Sequence, residues 1–173
     1  MTKITPPYKI RLWAIVGPHN SGKSSLIGAL TSEKRCSGHG RDVLLRGNGW
    51  LHIHAYSQSV QEGDYTEASS IKRIEDAAAA SHARHPIAYF NVLLALRSDV
   101  YKGLNQGYKY LAAYTAAGWD IESIIMLDIP DQYNDYGRMG APTAIINEST
   151  ANSAIDLQRN WVFAEARNHF GWA

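Results

Sequence analysis

Apolar and polar positions along this chain fall into blocks whose period changes from one to the next. "YKIRLWAIVG", residues 8–17, is rich in β-forming side chains and ends at Gly17, which predicts a first strand. "GKSSLIGAL", residues 22–30, brings Leu26, Ile27 and Leu30 onto one helical face. "RCSGHGRD", residues 35–42, reads as a loop. Residues 42–57 read as a β-hairpin, with "DVLLR" and "WLHIHAYS" on either side of the tight-turn signal Gly47-Asn48-Gly49. A helix is predicted from about Thr66, which can cap it, and Pro86 stops it. "IAYFNVLLAL" and "IESIIMLDI" are near-continuous apolar runs of the kind that fill central parallel strands. Between them Val100, Leu104, Tyr108, Leu111 and Thr115 stand at helical spacing, with Gly118 as a C-terminal cap. "YNDYGRMGAP" reads as a loop and "TAIIN" as a short strand. A closing helix puts Ile155, Val162, Ala166 and Phe170 on one face. The sum is a single domain over residues 1–173, a three-layer α/β fold with a mostly parallel central sheet.

The junction of the first strand and first helix reads "GPHNSGKSS", Gly17 to Ser25, and fits G-x-x-x-x-G-K-S/T. Glycines at both ends let the backbone turn tightly and aim several N–H groups at one point. Gly17, His19, Asn20, Ser21, Gly22, Lys23, Ser24 and Ser25 are the expected phosphate-binding residues. Lys23 would reach the β- and γ-phosphate oxygens, the Ser24 hydroxyl would ligate Mg²⁺, and the helix N-terminus would add its dipole. This pattern, following a β-rich run and opening a helical one, resembles the P-loop NTPase superfamily. The resemblance implies a P-loop NTPase fold, Mg²⁺ as cofactor, and ATP or GTP as ligand.

Within that superfamily, "GPHNSGKSSLIGAL" and the element order resemble a small G domain. Downstream the correspondence thins. The place of the guanine-reading N-K-x-D holds Asp128-Ile129-Pro130-Asp131, where Asp131 could accept the guanine N–H groups. Glu148 to Asn152 echoes a further G-domain loop, and residues 56–62 hold no D-x-x-G. Two readings stay open: a degenerate G domain, or a layout shared generically by P-loop proteins, which carries the greater weight. In the ATPase reading Asp128 ends an apolar strand and holds Mg²⁺ through water, so Lys23 and Asp128 are the expected catalytic pair and Ser24 and Asp128 the metal residues. Asp99 competes with Asp128 if the strand before it takes the place beside the first strand. Asn147 is a candidate γ-phosphate sensor, and Glu62 and Glu148 are candidate hydrolytic bases. A kinase reading would enlist Arg46, Arg97 or Arg138 as phosphoryl clamps.

Composition narrows the function classes. Lys+Arg is 17 against Asp+Glu 16, so no strong field indicates nucleic acid or a membrane surface. The single cysteine, Cys36, points to a reducing cytoplasm. Pro6-Pro7 interrupts the N-terminal region where a signal peptide needs its apolar stretch, and no run approaches the ~20 residues that span a bilayer. His52 and His54 share a strand face without a third metal ligand in view, and read as ordinary strand histidines. Trp161 and Trp172 could form an apolar contact patch. The expected function is Mg²⁺-dependent binding and slow hydrolysis of a purine nucleoside triphosphate, ATP slightly favoured over GTP. Its output would pass through a protein partner or a homo-oligomer. The alternatives are a small-molecule or nucleotide kinase and a non-catalytic nucleotide-gated interaction protein.

Overall fold

The computed structural model describes residues 6–147 and 161–173. Six strands form one sheet: β1 (Lys9–Gly17), β2 (Ser37–Leu45), β3 (Gly49–Tyr56), β4 (Tyr89–Arg97), β5 (Asp120–Leu127) and β6 (Thr143–Ile146). Their spatial order is β2-β3-β4-β1-β5-β6, parallel throughout except for the β2–β3 hairpin. The helices are α1 (Lys23–Thr31), α2 (Glu67–Arg84), α3 (Gly107–Ala116), α4 (Tyr133–Gly137) and α5 (Trp161–Phe170).

Alternation along β1 divides the core in two. Trp13 and Ile15 pack with Leu26, Ile27 and Leu30 of α1 and with Val162, Ala166 and Phe170 of α5. Leu12, Ala14 and Val16 face Ile74 and Ala78 of α2 and Tyr110, Leu111 and Tyr114 of α3. Helices therefore cover both faces, the arrangement that fully apolar parallel strands require. Thr66 caps α2 by accepting the Ser69 N–H at 3.2 Å. Gly118 follows α3 with φ of 91° and donates to Thr115 O.

Three segments depart from the sequence expectation. β2 begins at Ser37, so most of the glycine-rich stretch expected as a loop is strand. Its glycines pass under large cross-strand side chains: a Cβ on Gly38 would lie 2.6 Å from the Tyr56 ring, and one on Gly40 would overlap His52. Absence of side chains, not turn formation, is what those glycines supply. The helix expected from Val100 starts only at Gly107, because Lys102 takes φ of 48° in a turn closed by Tyr101 and Leu104. The loop "YNDYGRMGAP" contains the short helix α4, held by fully buried Tyr136. Ile155 and Glu148 to Asn152 lie outside the described residues. Trp172 is core, packed on Trp13 and Phe170, while Trp161 is exposed, so the two tryptophans do not make one surface patch. Among the described residues no helix is long and apolar enough to cross a membrane.

Candidate functional site

The loop from Gly17 to Lys23 lies at the carboxyl end of β1, between β4 and β5. Arg97 is level with Gly17 on one side, and Met126 with Val16 on the other. The turn closes through two left-handed residues, Asn20 at φ of 60° and Gly22 at 83°. Gly22 is the residue before α1, and Leu26 donates its N–H to Gly22 O at 2.8 Å. A Cβ on Gly17 would overlap Ser21 Oγ and lie 3.0 Å from Leu127 O, so close packing between loop and β5 favours glycine here.

Lys23 is buried and folded back into the loop. Its ammonium donates to Gly17 O at 3.0 Å, Pro18 O at 2.5 Å and Ser21 Oγ at 3.4 Å. An ammonium has three protons to give, so these three acceptors satisfy it. Burial nevertheless pushes its pKa down from 10.5 to about 8; the carboxylates of Glu62 and Asp99 oppose that shift and Arg97 adds to it. The Ser24 hydroxyl donates to Ser57 O at 2.6 Å. Ser57 is fixed in turn, since its own hydroxyl bonds both the N–H and the C=O of Cys36. With its proton given to Ser57, Ser24 Oγ keeps its lone pairs for another partner.

A cavity of about 330 Å³ opens over the loop, lined by His19, Asn20, Gly22, Lys23, Ser24, Ser25, Ser59 and Glu62. Glu62 brings a carboxylate to it from a short turn after β3, and lies 3.4 Å from His19 Nδ1 and 3.6 Å from an Arg97 nitrogen. Arg97 also pairs with Asp99 at 2.6 Å, and this contact holds the Asp99 carboxyl below the usual range. Buried Gln61 locks the turn in place: its amide donates to Arg97 O and Asn105 O and accepts the Arg97 N–H at 3.0 Å. The result is an acid–base chain, Lys23, Glu62, Arg97 and Asp99, on the β4 side of the loop.

Of the sequence candidates, the whole loop, Glu62, Arg97 and Asp99 converge here. Asp128 follows β5 on the other side of β1, with φ of 57° and its N–H bonded to Ile146 O. Asn147 is exposed just past the β6 residue that pairs with Leu127. Asp131 and Arg138 are exposed in the segment after β5. Arg46 is bound to Asn168 on α5 and fixes the hairpin turn to that helix. His52 pairs with Asp42, and His54 stacks on Phe90. No group of three or more His, Cys, Asp or Glu able to hold a metal occurs among the described residues. Ser57, Ser59 and Gln61 had no sequence signal, because short polar residues after a strand are common in loops of every kind. Comparison with known proteins gives no matching family model, no matching curated protein and no matching solved structure.

Proposed function

We propose that this chain binds a purine nucleoside triphosphate with Mg²⁺ and hydrolyses it slowly, with ATP slightly favoured over GTP. The observation that carries the reading is the juxtaposition of Lys23 Nζ, the left-handed Gly22 turn and the N-terminus of α1 beneath one polar cavity. Backbone N–H groups and a lysine at a helix start suit a phosphate chain better than any neutral ligand. On binding, the Lys23 ammonium would exchange Pro18 O for a phosphate oxygen. Mg²⁺ fits the donor set, since it takes few protein ligands and leans on substrate phosphates. Ser24 Oγ would supply one ligand with its free lone pairs, and Asp128 could act through water. Bound there, the ion would neutralise charge developing on the phosphates. Glu62, which lines the same cavity, would take a proton from attacking water. The buried, unpaired Cys36 is in keeping with a reducing cytoplasm, and a protein partner or homo-oligomer would receive the signal of the bound nucleotide.

Titration calorimetry with ATP and GTP, with and without Mg²⁺, tests this. Micromolar binding lost in Lys23→Ala is the expected result. Equal affinity of the two proteins for both nucleotides would refute it.

A further inference from the structure

A second cavity, of about 80 Å³, adjoins the first. Its walls include Tyr56 and Ser59 from the end of β3 and beyond, Tyr65, Arg73 and Ile74 of α2, and Leu94 of β4. Ser59 lines both cavities and forms their common wall. It is 2% exposed. Arg73 is exposed and has no carboxylate partner among the described residues. Its guanidinium is held between two phenol rings, 5.0 Å from the centre of Tyr56 and 4.6 Å from that of Tyr65. Among the described residues none that lines this cavity is acidic. A cation without a carboxylate partner, two phenol rings beside it and apolar walls from Ile74 and Leu94 together describe a site for a small organic anion. At about 80 Å³ the space is roughly half of the ~150 Å³ that holds a benzene ring, so it suits the carboxylate end of a small acid whose remainder extends past Ser59 into the adjoining cavity.

We infer that this cavity binds a small hydroxy acid as phosphoryl acceptor, which makes the protein a phosphotransferase whose slow hydrolysis is the reaction with water in its place. The inference rests on triphosphate binding at the neighbouring loop. The acceptor carboxylate pairs with Arg73, and its hydroxyl passes Ser59 towards the γ-phosphate. The acceptor oxygen forms a bond to the γ-phosphorus while the bond from that phosphorus to the β,γ-bridging oxygen breaks. The nucleoside diphosphate leaves, and the hydroxyl proton passes to Glu62.

Glycolate, lactate and glycerate serve as probes, with calorimetry for binding and phosphorus NMR for product. At least one should bind the wild type in the millimolar range and weaken at least tenfold in Arg73→Gln. The same acid should raise nucleoside diphosphate release from Mg-ATP at least tenfold and appear as its phosphate ester. Ser59→Ala, a milder change, should lower the stimulated rate at least threefold. In Lys23→Ala the acid should still bind within twofold of wild type, while transfer is lost. Absence of binding by all three acids, binding indifferent to Arg73→Gln, or binding without transfer would each overturn the acceptor role. Acid binding in a protein that binds no nucleotide would overturn the triphosphate reading and the transfer step with it, while showing the Arg73 cavity occupied.

Discussion

Lys23 carries a charge that its burial opposes and a phosphate would stabilise. In the free protein its pKa is about 8 against an ordinary 10.5, so the unfolded chain holds more protons between those values. Stability of the free protein should accordingly rise as pH climbs from 8 to 10.5, an effect absent in Lys23→Ala and measurable by urea unfolding at each pH. Triphosphate affinity should move the other way. The bound phosphates need the ammonium form, so the affinity should be insensitive to this group below pH 8 and fall above it, approaching about tenfold per pH unit. Calorimetry across pH 7 to 10, roughly two units beyond the onset, reads the slope, and an affinity that does not fall would remove Lys23 from phosphate contact. Ser24→Ala makes a narrower claim. It deletes the oxygen left with free lone pairs by the Ser57 bond, so it should weaken binding in the presence of Mg²⁺ and leave metal-free binding nearly unchanged.

The short turn from Gln61 to Gly63 decides where Glu62 stands, and Gln61 decides where the turn stands. Gln61→Leu would strip partners from the Arg97 N–H and from buried carbonyls; buried polar groups left unpaired cost about 1–3 kcal/mol each. The expected outcome is a lower urea midpoint together with slower hydrolysis, because the Glu62 carboxylate would no longer be held beside Arg97. Unchanged stability would mean that the turn is anchored elsewhere. Elements of this kind mark the limit of what the sequence discloses. β1, α1, α2 and β4 were legible because apolar period, Thr66 and Pro86 act within a few residues of the structure they specify. The turn between β1 and α1 was legible for the same reason. The Lys23–Glu62–Arg97 group was not, since its members come from three elements that only the sheet order brings together. Glycine misled at Gly38 and Gly40 because one composition serves both a turn and a strand passing beneath Tyr56 and His52.

Across the whole molecule, the sheet order places two acid-bearing strand ends on opposite sides of β1. Sequence pattern gave the greater weight to Asp128, beyond β5. The fold sets β4 on the other flank, and there the charges interlock: Glu62 and Asp99 are carboxylates that act on Lys23, and Glu62 lines the cavity over the loop. An attacking water in that cavity would meet Glu62 as its base, whereas a carboxylate at Asp128 would act only on the metal, through water. The two roles predict different kinetics. Glu62→Gln would remove the proposed proton acceptor and should lower the rate of hydrolysis at saturating Mg²⁺ at least tenfold, about 1.4 kcal/mol of barrier, with nucleotide affinity kept. Asp128→Asn should instead raise the Mg²⁺ concentration required, and saturating metal should restore most of the rate. Phosphate release measured over a Mg²⁺ series separates these cases. A tenfold loss in Asp128→Asn that no metal concentration repairs, beside a nearly normal Glu62→Gln, would move the chemistry to the β5 side of β1.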